Sequence, residues 1–439
     1  MVSAFCYKLF FSVLVHWPAA LFSIAQQLHN LQRGENRMKR VALSTLSVAL
    51  LAAAGTAHAQ NSVTLYGVID ESIQYVNHTM NSQGQNKNLV ALVGGNLSGN
   101  RWGLKGTEDL GGGLKAIFQL ESGFNINSGA MGSYNGNQAI FGRQAFVGVT
   151  HDQYGTVTLG RQYDPLVDLV QPLTADNYFG STFATPGDVD NNDNTSRTSS
   201  AIKYVSPNIQ GFQFEGMYAL GGVAGSTGSG QSWGAAATYG IGSFNVAGGY
   251  FMMDNSSSPA ARAASAAKGF GGWSQSATSD NVFWNGSQIN AAYASAKSVG
   301  TGQIAAQYVA GPFTFSGRYS NVQMRRDSAS AFPSNERFNV AAGFVGYQLN
   351  PATLLGLGYT WTHGAGDVSN TYNQISLGAD YNLSKRTDLY AVAAWQHANG
   401  TQRDSATTTS IAGASIGSYG YNSATSSQTM VSLGIRHKF

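Results

Sequence analysis

The chain has 439 residues, of which 11% are charged, less than half the usual share for a soluble globular protein. Aromatic residues reach 11%, with 54 Gly against 9 Pro, yet the mean hydropathy is only −0.14, which excludes a helical membrane protein. Five of the 25 bases and one of the 22 acids fall in residues 1–59, leaving 20 against 21, so the basic isoelectric point gives no argument for nucleic acid. The only cysteine, Cys6, lies in the same leader, so neither a disulfide framework nor a Cys metal site is available beyond it.

Residues 38–59 form a secretory signal peptide. Met38-Lys39-Arg40 is its charged start, Val41–Ala54 its apolar stretch and Ala57-His58-Ala59 a small-x-small cleavage site, with the cut before Gln60. The apolar stretch is too short for a membrane helix, which needs about 20 residues. Because Met38 opens a complete signal peptide unaided, residues 1–37 read as a non-native upstream extension from a misplaced start codon. The exported part is then 60–439.

From Gln60 on, helical periodicity is lost. Segments of about ten residues alternate between apolar and polar or small positions, bounded by Gly, Asn, Asp and Ser, the pattern of membrane strands with one lipid face and one wet face. Val63, Leu65, Gly67 and Ile69 interleave with Thr64, Tyr66, Val68 and Asp70; Phe313, Phe315 and Tyr319 with Thr314, Ser316, Arg318 and Ser320. Candidate strands begin near Val63, Arg101, Gly113, Arg143, Thr156, Arg197, Gly211, Ser232, Phe244, Ser287, Thr301, Phe313, Asn339, Thr353, Tyr372, Asp388 and Gln428. Assigning Ser287–Ala296 to a loop leaves sixteen strands, the even number expected of a bacterial barrel, with strict alternation of short turns and long loops. The turns fall around Asp109–Gly112, His151–Gly155, Pro207–Gln210, Gly240–Ser243, Gly311-Pro312, Leu349–Ala352 and Leu383–Thr387. The loops are rich in Gly, Ser, Asn and Thr, as in Asp254–Gly300 and Asn399–Ser427. A soluble sandwich has no reason to segregate loop lengths this way.

Several segments resemble the general diffusion porins of Gram-negative bacteria, in their β-proteobacterial branch. Val63–Asp70 is similar to the family's first strand, and Arg101–Ala116 running on to Phe118-Gln119-Leu120-Glu121 carries the most specific match. Arg143–Gly148 and Gly155–Gln162 follow in family order, and the chain closes on Arg436-His437-Lys438-Phe439. The resemblance covers essentially all of Gln60–Phe439. It implies a 16-stranded antiparallel transmembrane β-barrel in the outer membrane, with short periplasmic turns, long extracellular loops and a third loop, Asp164–Ser196, folded into the lumen. It also implies a homotrimer set in outer-membrane lipid and lipopolysaccharide, with Phe439 read by the barrel-assembly machinery. Ions and small hydrophilic solutes would pass through a water-filled channel, with no cofactor and no catalysis.

Strand parity then sorts the charges. With Trp102 and Leu104 outward, Arg101 and Lys105 face the lumen; with Phe118 and Leu120 outward, Lys115 and Glu121 face it. Arg197, Lys203 and Arg318 point inward by the same test, and the family motif places Arg143 on the pore wall. Arg161 shares parity with Val157 and Leu159, which suits a subunit interface or rim. Opposite, the third loop carries Asp164, Asp168, Asp176, Asp188, Asp190 and Asp193, with no base from Gln162 to Ser196. Asp176, mid-loop, is the candidate constriction acid. Asp188, Asp190 and Asp193 fit a cation site or solvated turn as well as a lumen role. No glutamate closes that run at calcium-loop spacing, and the eight His form no metal-ligand pair. Gly111-Gly112-Gly113 precedes a strand and is a turn, not a phosphate cradle. An outer-membrane enzyme would need a Ser paired with a His, which is not found. A loop-based adhesin and a solute-specific channel remain alternatives.

Overall fold

The structure is a computed structural model and describes residues 62–134, 137–280, 282–283 and 287–439. The signal peptide and the upstream extension lie outside the described residues. Sixteen antiparallel strands form the wall. They are β1 (Ser62–Met80), β2 (Arg101–Gly111), β3 (Leu114–Gly123), β4 (Gln144–His151), β5 (Gly155–Gln162), β6 (Arg197–Val205), β7 (Phe212–Ala219) and β8 (Ser232–Ile241). There follow β9 (Phe244–Asp254), β10 (Ser298–Ala310), β11 (Phe313–Arg325), β12 (Glu336–Asn350), β13 (Thr353–Ala365), β14 (Ser369–Asn382), β15 (Thr387–Arg403) and β16 (Ser427–Lys438). Each pairs with its neighbours in sequence, and β16 returns to β1 in the register Val68↔Lys438 to Val76↔Met430. Closure leaves no strand edge unpaired in lipid, where a bare backbone group costs several kcal/mol.

The period-2 pattern sets which face is which. Along β11, Phe313, Phe315 and Tyr319 are exposed outward, whereas Arg318 and Ser320 are buried. Val63, Leu65, Ile202, Ile304, Leu357, Leu377 and Leu433 continue this apolar outer face around the wall. The polar residues Asp70, Gln74, Gln374, Gln396 and Ser432 are buried on the inner side. Ser287–Ala296 is a loop containing the short helical turn Ala291–Tyr293, as the alternation of connection lengths required.

Two features depart from the sequence reading. Asn86–Gly94 forms a further arm that pairs with the upper part of β1, while the lower part of β1 pairs with β2. On the loop side, β13 and β14 are joined by residues 366–368 alone, so the length alternation is not strict there.

The packed interior lies inside the barrel. The helix Pro165–Leu169 of the third loop rests on β7, β8 and β9. There the inward alanines Ala219, Ala236 and Ala247 belong with Leu166 and Val170 to one buried cluster, which Trp273, Ile289 and Tyr293 of the 255–297 loop extend. Small wall residues are needed because helix and loop backbone must fit within the lumen.

Candidate pore constriction

The third loop is held by its ends and by its middle. At its start, the Asp164 carboxylate caps the Pro165–Leu169 helix by accepting from the Leu166 and Val167 N–H groups at 2.9 and 3.2 Å. Asp168 is ion-paired to Lys203 of β6. Farther on, Gln303 donates to the Asp190 carbonyl at 2.6 Å. Gln374 and Ser376 of β14 donate to the Thr182 carbonyl at 3.0 and 2.9 Å.

Phe179, fully buried, sits where Gly356 of β13 and Gly378 of β14 leave the wall without side chains, and a Cβ at either glycine would run into its ring. Phe183 lies likewise over Gly358, where a Cβ would come within 2.6 Å of the ring. The two phenylalanine rings stack at 5.0 Å beside Phe344. Glycine at inward parity on β13 and β14 was the sequence signal for this seat.

The opposite wall carries a basic cluster. Arg143 donates from Nε to Glu121 Oε1 at 2.8 Å and from a terminal nitrogen to the Tyr163 hydroxyl at 2.8 Å. Tyr163 in turn donates to Glu121 Oε1 at 2.7 Å. Tyr66 donates to Glu121 Oε2 at 2.9 Å, and Arg101 stands 3.8 Å from the same oxygen. The Arg143 and Arg197 guanidinium carbons each lie 5.8 Å from the Tyr163 ring centre, within cation–π range. Tyr163 and Tyr66 are the members that strand parity did not single out.

Wall and loop enclose a cavity of ≈ 650 Å³ whose lining includes Arg101, Glu121, Arg143, Arg197 and Asp176. Asp168 and Asp193 of the third loop add to the acidic side, which Ser418 of the loop before β16 also lines. Lys105 also turns inward, 5.5 Å over the Tyr66 ring, but outside that cavity. Arg318 is placed differently from a pore-wall charge. The third loop stands in front of it, and its guanidinium is ion-paired to Asp190 and donates to Thr185 Oγ1 at 2.9 Å. Parity fixes the direction of Arg318 correctly but says nothing of what covers it. Arg161 donates to the Gly142 carbonyl at 2.7 Å and to Asp280 at 2.7 Å, joining the top of β5 to the 255–297 loop.

The loop acids divide by environment. Asp188 accepts from the Asp193 and Thr195 N–H groups at 2.9 and 3.1 Å, which makes it a turn residue. Burial pushes the Asp164 carboxyl up to about 6. Burial, and then the neighbouring Asp193 charge, raises Asp176 and Asp188 well above the usual aspartate range. Among the described residues, no group of three His, Cys, Asp or Glu is arranged to hold a metal ion.

An apolar outer wall, closed strand pairing and a charged lumen narrowed by an inward loop define a diffusion channel of the outer membrane, not an enzyme. Residues 45–401 match the profile of the Gram-negative porin family. An outer membrane porin protein of Bordetella pertussis is 39% identical over 191 residues, 38% of this chain; the match spans 46% of that relative's length. Outer membrane porin protein 32 of Delftia acidovorans is 29% identical over 416 residues, 90% of this chain and 99% of its own. The fold is similar to that of the anion-selective porin from Comamonas acidovorans, with TM-score 0.59 at 23% identity over 86% of this chain and 100% of the other. The chain belongs to the Gram-negative porin family. It is an outer-membrane porin whose water-filled channel passes ions and small hydrophilic solutes by passive diffusion.

Proposed function

We propose that this porin favours small hydrophilic anions, and that Arg101, Lys105, Arg143, Arg197, Glu121 and Asp176 set that preference at the constriction. The observation that carries the reading is the uneven pairing of the two sides. Three guanidinium groups face the cavity from the wall against the one carboxylate of Glu121, which pairs with Arg101 and Arg143, while the Arg197 guanidinium donates to the Thr195 carbonyl at 3.2 Å. Across the cavity, Asp168 is paired with Lys203, Asp176 is pushed toward its uncharged form by burial, and Asp193 accepts from the Ser181 and Ser418 hydroxyls; behind them Asp190 is paired with Arg318. Arg318 acts on the pore by positioning the loop. Charge rings of this kind bias which ions enter without a binding step.

The same arrangement carries a pH dependence. An acid whose folded value is raised holds its proton longer than it would in the free loop. Asp176 therefore gains charge only above the ordinary value of 3.8, and Asp164 only around 6. As pH rises through this window the loop becomes more negative and its seating weakens, because the unfolded loop binds fewer protons there than the seated one. Reversal potentials measured from pH 4 upward are expected to drift toward cations, and Asp176→Asn is expected to flatten the drift. A wild-type potential that does not change with pH contradicts the assignment.

Three barrels acting together, as the family resemblance implies, fit the aliphatic outward faces of β1, β4, β5 and β16, which expose Val63, Leu65, Val147, Leu159 and Leu433. Phe439 completes β16 by exchanging backbone hydrogen bonds with Gly67 at 3.0 Å in both directions; this exposed terminal aromatic is the feature the barrel-assembly machinery would read. Residues 38–59 serve as the cleaved signal, 60–439 as the mature barrel set among lipopolysaccharide, and residues 1–37 as an upstream extension. Amino-terminal sequencing of the protein from outer membranes is expected to begin at Gln60; any later start contradicts the cleavage site.

A further inference from the structure

We propose that a second cavity, on the loop side of the constriction, binds small carboxylates that carry an apolar end, such as arylacetates. This rests on the reading that the wall arginines favour anions, and it names a class of solute that they would hold. The cavity, of ≈ 390 Å³, lies between the end of the Asn86–Gly94 arm and the turn that follows β3. Arg143, Arg197, Gly95 and Gly99 line both this space and the constriction cavity, so the two meet at the guanidinium groups. Its other side is apolar, formed by Phe124, Ile126 and Met131. Among the described residues no Asp or Glu lines it. Glu121 belongs to the constriction cavity and is paired with Arg143. Glu71, behind Gly94 on β1, accepts the Ser72 N–H at 3.2 Å.

Local sequence holds both ends in place. At the apolar end, Asn125 Oδ1 accepts from the Asn127 and Ser128 N–H groups at 2.9 and 3.1 Å, and Gly129 takes φ 72°. The turn is closed by Asn125 N–H donating to the Ala130 carbonyl at 2.8 Å and Gly132 N–H to the Gly123 carbonyl at 2.7 Å. It keeps Phe124 and Ile126 half-buried, with Ile126 seated where a Cβ on Gly94 would come within 2.6 Å of it. At the basic end, Arg143 commits Nε and Nη2 to Glu121 and Tyr163. Its Nη1 faces Gly99, where a Cβ would stand 3.1 Å away, and has no hydrogen-bond partner among the described residues. Arg197 donates from Nη1 to the Thr195 carbonyl at 3.2 Å, and its Nε is buried without a partner. A carboxylate takes paired N–H donors from guanidinium groups. An apolar wall with a few placed polar groups is the make-up of small-molecule pockets, which start at about 300 Å³. Chloride or acetate uses only the basic end; a ring carrying a carboxylate uses both.

The test is block of the chloride current through the refolded porin in a planar bilayer, by phenylacetate and by acetate. In the wild type the half-blocking concentration of phenylacetate is expected to be about tenfold lower than that of acetate. Tenfold corresponds to about 1.4 kcal/mol, or about 55 Å² of ring taken out of water. In Phe124→Ala with Ile126→Ala the two anions should block alike. Acetate, which needs the guanidinium groups alone, reports in the same recording that this variant is folded and open. Arg197→Gln should weaken block by both anions and keep their ratio. A wild type blocked equally by the two anions, or a double variant that keeps the tenfold ratio, overturns the pocket. With an anion-signed reversal potential in potassium chloride, either of those results leaves the anion reading standing. A cation-signed potential overturns the anion reading on which the pocket rests.

Discussion

Replacing Phe179 with alanine is expected to give larger single-channel steps and to admit larger sugars, with the barrel still folded. Phe179 is fully buried and packs on Phe183 at 5.0 Å and Phe344 at 6.2 Å, over the gap left by Gly356 and Gly378. Truncating a core phenylalanine costs about 3–5 kcal/mol. None of the wall's ladder hydrogen bonds passes through Phe179, so that loss falls on the seating of the third loop. A loss of about 3 kcal/mol raises the unseated population roughly a hundredfold. Gly378→Leu attacks the same contact from the wall side, because its side chain would occupy the space of the ring. The Asp190–Arg318 pair is the second latch, buried on both sides at 0% and 3% exposure. Breaking such a pair from one side costs about 3–5 kcal/mol. Phe179→Ala combined with Arg318→Ala should therefore open the constriction further than either alone. Unchanged conductance and exclusion limit in both Phe179→Ala and Gly378→Leu would mean that this seat does not hold the loop.

The largest shift in selectivity is expected from Arg143→Ala. That change removes one positive charge and also strips Glu121, 4% exposed in its side chain, of its shortest ion pair at 2.8 Å. The wall thus loses a cation and uncovers an anion at once. Arg101→Ala removes a charge that stands 3.8 Å from Glu121 and leaves the Arg143 pair intact, so its effect should be smaller. A unit charge about 6 Å from a passing ion in water contributes about 0.7 kcal/mol, of opposite sign for the two ions, or roughly a tenfold change in the anion-to-cation ratio. Both variants should move the reversal potential toward cations, Arg143→Ala by more. Restoring Arg143→Ala with Glu121→Gln should recover part of the loss. If the single variants keep the parent potential, the wall cluster does not set selectivity. High salt should compress every difference, because screening shortens the reach of each charge.

Much of this architecture was legible in the sequence. Alternation over ten-residue segments placed all sixteen wall strands, because a lipid face and a wet face impose period 2 on each of them. The contrast between short turns and long loops then excluded Ser287–Ala296 from the wall. Parity also gave the direction of Arg101, Lys105, Glu121, Arg197 and Arg318, since a one-residue slip would put each guanidinium or carboxylate in lipid. What parity lacks is depth. It cannot tell Arg197, which lines the cavity, from Arg318, which the third loop covers, because covering is decided by segments more than a hundred residues away. The Asn86–Gly94 arm escaped notice although Asn81-Ser82-Gln83-Gly84 carries a turn signal, with Gly84 at φ 74°, because the arm lies within a long polar connection and pairs back on a strand already found. Tyr163 belongs to the last residues before the loop, where alternation has ended, and its role as a bridge between Arg143 and Glu121 emerges only from three-dimensional placement.

The most direct test of the central claim is single-channel recording of refolded Gln60–Phe439 in a planar bilayer, with the reversal potential taken under a salt gradient. Large steps that close in threes, with a potential of the sign set by anions, are the predicted result. Folded protein that conducts no ions, or conducts with a cation-signed potential at neutral pH, would contradict the account.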